Sequence, residues 1–161
     1  MFGKLVILSC LMAAILAKDP ATEVNRCSKG QPFPLEVRAL NCITPPCTIV
    51  KGTAMIFEID FVNNFTTTSL TTQVRATTLG ITVPYILPED VADVCRNLMY
   101  YAYCPLDPTE DVTYLFNFYI METYPEIPVK VEISLVNQDK DVVTCFSCPI
   151  KVVGGNAGGG N

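Results

Sequence analysis

In MIFEIDF, residues 55–61, the apolar side chains fall on every second position: Met55, Phe57, Ile59 and Phe61, with Glu58 and Asp60 between them. A strand sends successive side chains to opposite faces, so a run of this kind buries one face and wets the other. The same period returns in PVKVEISL, where Val129, Val131, Ile133 and Leu135 oppose Lys130, Glu132 and Ser134. In YLFNFYI, Asn117 marks the outer face and turns Tyr114, Phe116, Phe118 and Ile120 inward. Residues 66–78 are rich in β-branched side chains and read as strand plus turn. Only 88–99 has room for a helical turn. Thr44-Pro45-Pro46, Lys51-Gly52, Asn63-Asn64, Pro88-Glu89-Asp90, Asp107-Pro108 and Asn137-Gln138-Asp139 divide the runs with turn chemistry. Short strands at this spacing predict an all-β chain, a β-sandwich of two antiparallel sheets with both outer faces wet.

The first residues point to export. Lys4, an apolar run over 5–16 and a small residue at Ala17 have the layout of a secretory signal peptide cut after Ala17. Twelve apolar residues are too few to cross a bilayer. Removing 17 of 161 residues leaves 144, enough for one domain with a sizeable core. The expected division is a signal peptide over 1–17, a single domain over 18–153 and a Gly-rich disordered tail over 154–161.

Composition then removes whole classes of function. The chain has no histidine, so the usual general base, the Ser-His-Asp arrangement and the commonest metal ligand are all missing. No catalytic residues, metal or cofactor are expected. Net charge is −5, and becomes −6 once Lys4 leaves with the signal, which argues against nucleic acid and against strong attachment to anionic lipid. The acidic cluster Asp107, Glu110, Asp111 lacks a calcium-ligand spacing and reads as a solvated loop. Asn64-Phe65-Thr66 is a glycosylation sequon in a predicted turn.

Losing Cys10 leaves seven of the eight cysteines in an oxidising compartment. Cys42 and Cys47 bracket a tight turn, and Cys95 and Cys104 bracket the one helical or loop excursion. Cys27 then takes Cys145 or Cys148. Lys151 faces solvent, so strand parity puts Cys145 and Ser147 on the outer face of 145–152, with Phe146, Cys148, Ile150 and Val152 on the inner one. Two cysteines on opposite sides of a strand neither bond to each other nor share a metal unless the strand breaks. The inner faces read equally well as a solid core or as the walls of a hollow, since period-two patterning does not distinguish them.

The order of these features resembles the Niemann-Pick type C-2 group of the ML lipid-recognition domain family. The likeness runs from Cys27 to Val153 through Asn41-Cys42, Pro46-Cys47, Lys51-Gly52, Gly80-Ile81, Val83-Pro84-Tyr85, Pro88-Glu89, Cys95, Cys104-Pro105, Tyr124-Pro125, and Cys145 followed by Pro149. The resemblance implies an immunoglobulin-like β-sandwich with an apolar ligand cavity between its sheets, and bridges Cys27–Cys145, Cys42–Cys47 and Cys95–Cys104. Tyr85, Ile120, Tyr124 and Pro125 would form the entrance. The walls would include Ile49, Met55, Phe57, Val74, Val83, Phe118, Val129, Val131, Ile133, Phe146, Cys148 and Ile150. Cys148 is then the leftover thiol, on the inner face.

This chain departs from the group in having no Trp, where sterol carriers place Trp at the positions of Ile133 and Phe146. Its loop between Cys95 and Cys104 is also longer and carries Met99, Tyr100, Tyr101 and Tyr103. The function implied is that of a secreted monomer, or one of the lysosomal lumen, carrying one sterol or fatty acid to a membrane, a receptor or a transporter, with only transient membrane contact. Presentation of lipid or semiochemical to an innate immune or chemosensory receptor is the second expectation, and a structural sandwich without a cavity the third. Recognition of lipid phosphates would need a basic rim, and Arg75, Arg96 and Lys130 read as scattered.

Overall fold

The computed structural model describes residues 18–155. The stretch read as a signal peptide, 1–17 with Cys10, and the tail beyond 155 lie outside the described residues. The strands are β1 (Asn25–Arg26), β2 (Glu36–Ala39), β3 (Cys47–Val50), β4 (Ala54–Asn63), β5 (Leu70–Thr78), β6 (Ile81–Tyr85), β7 (Glu110–Tyr119), β8 (Pro128–Asn137) and β9 (Val142–Val153). One helical turn, α1 (Glu89–Ala92), stands between β6 and β7, inside the segment where the sequence leaves room for it. The smaller sheet has the order β2-β4-β7 and the larger β1-β9-β8-β5-β6, with β3 also bonded to β9. The two sheets face each other as a sandwich.

One pairing differs from the purely antiparallel expectation: β3 runs parallel to β9, with Cys47 opposite Ile150 and Ile49 opposite Val152. The reason lies in the turn between β2 and β3. β2 belongs to the small sheet and β3 to the large one, so the chain crosses the sandwich over residues 40–46. The Cys42–Cys47 bond staples that crossing.

The alternation is realised residue by residue. Met55, Phe57, Ile59 and Phe61 are buried, as are Tyr114, Phe116, Phe118 and Ile120, and Val131, Ile133 and Leu135. β4 and β7 pair along their whole length, setting Phe57 opposite Phe116 and Met55 opposite Phe118. Rings from both sheets then form a ladder along the middle of the fold. Tyr114 stacks on Phe116 at 5.8 Å, Phe116 on Phe118 at 5.8 Å, and Phe57 lies 6.2 Å from Phe116 and 6.1 Å from Phe146. Such pairs add about 0.5–1.5 kcal/mol each beyond the area they bury. Tyr114 also satisfies its buried hydroxyl, which shares a 2.8 Å hydrogen bond with Thr72 and donates to the Val91 carbonyl at 3.1 Å.

The outer faces are drier than expected. On the small sheet Arg38 is 2% exposed, with both terminal nitrogens on Asp60 at 2.9 and 3.0 Å, its Nε on Glu58 at 3.0 Å, and a further bond to Glu36. Lys18 and Thr113 also donate to Asp60, at 2.6 and 2.8 Å. The period-two pattern gives the faces of Glu58 and Asp60 correctly but carries no sign that a guanidinium on the neighbouring strand will cover them. On the large sheet the outward Cys145 and Ser147 are also buried. Cys27 bonds Cys145, and the Cys145 amide donates to the Pro32 carbonyl at 2.8 Å, so the leading segment lies against this part of β9. Arg26 sits 4.8 Å from the Phe33 ring centre in the same segment.

All three disulfides implied by the resemblance are formed: Cys27–Cys145, Cys42–Cys47 and Cys95–Cys104. At the β4 end, the Asn63 amide donates to the Asp107 carbonyl at 3.0 Å and to the Phe65 carbonyl, and its oxygen accepts from Thr67 at 2.9 Å. That buried side chain holds the turn in which Asn64 is exposed.

The guanidinium of Arg38 and the other donors hold the Asp60 carboxyl well below the usual carboxylate range, against the opposing effect of burial. A carboxyl depressed in the folded state adds stability that is present above its unfolded pKa of about 4 and is lost as pH falls through the folded value. Asp60→Asn should therefore cost about 3 kcal/mol near neutral pH, read from urea midpoints. Below pH 3 the gap between variant and wild type should narrow. A constant gap from pH 2 to 7 would show that Asp60 is not the titrating group.

Candidate functional site

Past Phe118 the ring ladder leaves the middle of the sandwich and bends to the surface. Tyr85 meets Phe118 edge-on at 5.0 Å and stacks on Tyr124 at 5.4 Å. Beneath these two tyrosines lies a hollow of about 140 Å³. Its walls are Ala76 and Thr78 from β5, Val83 and Tyr85 from β6, Phe118 and Ile120 from the end of β7, and Tyr124, Pro125 and Ile127 from the connection to β8. Val129 and Val131 of β8 and Val152 of β9 close it. Among the described residues, no charged side chain lines it. The Thr78 hydroxyl is occupied, donating to the Pro128 carbonyl at 3.0 Å.

Each wall is placed by a local feature. The Gly52 amide donates to the Ile120 carbonyl at 2.7 Å, and the Ile120 amide donates to Thr53 at 3.0 Å, which pins the end of β7 to the Lys51-Gly52 turn. Gly52 has φ of +77°, and a Cβ there would stand 2.9 Å from Glu122, so the turn requires glycine. Lys51 and Glu126 are paired at 2.9 Å, holding the other side of the same connection.

The opposite wall is thin. β6 bonds only to β5 and forms one edge of the large sheet. Ile81 and Val83 are 66% and 51% exposed, and Leu79 and Ile86 at its two ends 94% and 83%.

Tyr85 is the partition. Its hydroxyl donates to the Tyr119 carbonyl at 2.7 Å, bridging the edge of one sheet to the edge of the other. Burial is the first cause, and the neighbouring Tyr124 the next, of a phenol pushed up to about 12. On its outer side lies a second groove of about 240 Å³, lined by Tyr85, Ile86, Leu87, Pro88, Val91, Asn117, Tyr119 and Met121. Ligand pockets run to about 300–1,000 Å³. Neither hollow reaches that alone, and Tyr85 is a wall of both.

Of the residues expected at the entrance and walls, Val83, Tyr85, Phe118, Ile120, Tyr124, Pro125, Val129 and Val131 line the inner hollow. Ile49, Met55, Phe57, Val74, Ile133, Phe146, Cys148 and Ile150 do not. They are buried in the packed interior behind it. In this structure the aromatic ladder occupies the depth at which those eight were expected to line a cavity. Ala76, Thr78, Ile127 and Val152 were missed. Period-two counting from Val74 reaches Ala76 and Thr78, and counting back from Val129 reaches Ile127, so the signal was present in the sequence.

Two further expectations meet the structure. Basic residues are less scattered than they read: Lys29, Arg75 and Lys130 share a groove with Glu132, Ser28, Thr77 and Thr82. It lies on the outer face of β5 and β8, away from the tyrosine mouth. Among the described residues, the one close group of metal-ligand type is Cys27, Cys145 and Glu132. Its two sulfurs are already bonded to each other, which leaves a single carboxylate.

The sequence pattern of the ML domain family matches residues 21–152 of this chain. The chain is 24% identical over 153 residues to NPC intracellular cholesterol transporter 2 of the dog, covering 94% of this chain and 99% of that protein. It is 26% identical over 148 residues to NPC intracellular cholesterol transporter 2 homolog a of Drosophila melanogaster, covering 91% and 96%. The fold is similar to that of a Niemann-Pick type C2 protein from the Japanese carpenter ant, with a TM-score of 0.69 at 16% identity, over 81% of this chain and 99% of that one.

A strand bonded on one side, with most of its side chains exposed, samples local unfolding more readily than a central strand. Amide hydrogens of β6 should exchange at least about tenfold faster than those of β8, read by mass spectrometry of peptides spanning 81–85 and 129–136. Equal protection would show the thin wall to be as rigid as the sheet centre.

Proposed function

This chain belongs to the ML domain family, and we propose that it is a non-enzymatic carrier of one apolar lipid, a fatty acid or a sterol, held between its two sheets. The observation that carries this reading is the uncharged hollow under Tyr85 and Tyr124. The names of the curated relatives, which transport cholesterol, support the same ligand class. Burial of hydrocarbon supplies the affinity. Each methylene removed from water contributes about 0.8 kcal/mol, so a chain of about sixteen carbons gains roughly 13 kcal/mol gross. Association and ordering costs bring the net to micromolar affinity or tighter.

The hollow is smaller than such a ligand, so loading requires the β6 wall and the Tyr85 ring to move outward. A polar headgroup then rests at the mouth, where water and the tyrosine hydroxyls solvate it. Delivery to a membrane, or to a receptor or transporter, is supported by the apolar rim beside that mouth, where Leu79, Ile81 and Ile86 stand in solvent. No described helix is long and apolar enough to cross a membrane. Secretion, with the signal over 1–17, and a glycan on Asn64 belong to the same proposal.

Delipidated protein should bind one fluorescent fatty acid or sterol per chain. Ala76→Phe puts a ring into the hollow and should weaken binding at least about tenfold, or 1.4 kcal/mol. Val83→Asp places a carboxylate at a half-exposed wall position and should weaken binding similarly while leaving the urea midpoint nearly unchanged. Wild-type protein that takes up neither probe at about 10 µM, where a micromolar ligand saturates, contradicts carriage.

A further inference from the structure

Cys148 is the one free cysteine among the described residues, and it is not isolated from the others. It sits on the inner face of β9, fully buried, and its Sγ lies 3.7 Å from Cys47 Sγ, which is itself half of the Cys42–Cys47 bond. The Cys148 S–H is within reach of the Pro149 carbonyl at 3.6 Å, so its proton has an acceptor that leaves sulfur lone pairs free on the side of Cys47. Three sulfurs, one thiol and one disulfide, thus stand in contact where β9 meets the start of β3.

The two ends of that disulfide differ in surroundings. Cys47 is buried, whereas Cys42 is half-buried beside an open groove lined by Asp19, Pro20, Ala39, Leu40, Asn41 and Ile43. A thiol on Cys42 opens to solvent. A thiol on Cys148 does not.

We propose that Cys42, Cys47 and Cys148 form an internal thiol–disulfide exchange unit that makes Cys42 the protein's accessible thiol and its site of covalent modification by soft electrophiles or low-molecular-weight disulfides. Cys148 gives up its proton, its thiolate attacks Cys47 Sγ, a Cys148–Cys47 bond forms as the Cys47–Cys42 bond breaks, and the Cys42 thiolate that leaves takes up a proton. Sulfur oxidation states balance within the three residues, and no outside oxidant is consumed. The sulfurs must close from 3.7 Å to a bond of about 2.05 Å. Cys47 begins β3, so release from Cys42 frees the strand end that has to move. The product joins β3 to β9, strands already hydrogen-bonded to each other.

Exchange sets its own pace. Burial pushes the Cys148 thiol up to about 11, which keeps the thiolate scarce while making it strongly nucleophilic when formed. The Cys42–Cys47 arrangement is accordingly the resting one, and capture of Cys42 from outside draws the reaction forward.

The experiment is native alkylation of the intact, non-reduced protein with iodoacetamide at pH 8, quenched in acid and mapped without reduction. The expected product carries the adduct on Cys42 with Cys47 joined to Cys148, exceeding Cys148-alkylated protein by at least about tenfold. Cys148→Ser should take up no label and keep Cys42–Cys47. Cys42→Ser, treated with oxidised glutathione, should form Cys47–Cys148. Label on Cys148 with Cys42–Cys47 intact overturns the proposal. So does an unlabelled native chain under conditions that alkylate Cys148 after denaturation, or a Cys42→Ser chain in which Cys47 and Cys148 stay unjoined.

Discussion

Packed rings set the distance between the sheets and decide where that space stays open. Face-to-face sheets lie about 10 Å apart, and side chains from both must fill the gap. Here Phe57, Phe116, Phe118 and Phe146 fill most of it. Only at the end of β7, where the ladder passes to Tyr85 and Tyr124, do the walls become short side chains such as Ala76, Val129 and Val131. The hollow is what remains where large rings give way to valine and alanine. Its position follows from the order of ring sizes along β4, β7 and β9.

The rest of the structure keeps that end open without letting it come apart. The Gly52 turn and the Lys51–Glu126 pair fix the β7–β8 connection, and the Cys27–Cys145 bond ties the leading segment to β9. A closure spanning 118 residues constrains the unfolded chain far more than the five-residue Cys42–Cys47 loop does. The buried Arg38–Asp60 cluster holds the small sheet from its outer side. Against this fixed frame, β6 is bonded along one edge only. The same contrast between a braced wall and a loose one suits a site that must admit a ligand larger than its resting volume.

Much of this was legible in the sequence, and the limits have physical causes. Period two fixes which side chains of β4, β7 and β8 turn inward, because one-residue slips would expose every one of them. It placed Cys148 inside and Cys145 outside. It did not distinguish Phe57 or Phe146 as filling side chains from Val131 as a cavity wall, because an inward residue has the same parity whether it meets a neighbour or empty space. Burial of Arg38 was equally invisible, since it depends on strand β2 lying beside Glu58 and Asp60 across a gap of some twenty residues. The grouping of Lys29 with Arg75 and Lys130 depends in the same way on the disulfide at Cys27. The parallel run of β3 comes from a chain crossing between sheets, which local pattern does not encode.

The central claim is that lipid enters between the sheets by displacing the Tyr85 partition. A crystal structure of the protein loaded with palmitate tests it most directly. The account predicts hydrocarbon density touching Ile120, Val129 and Val131, with the Tyr85 hydroxyl withdrawn from the Tyr119 carbonyl and β6 moved outward. Palmitate bound only on an outer face, with the Tyr85–Tyr119 bond and the hollow unchanged, would contradict it.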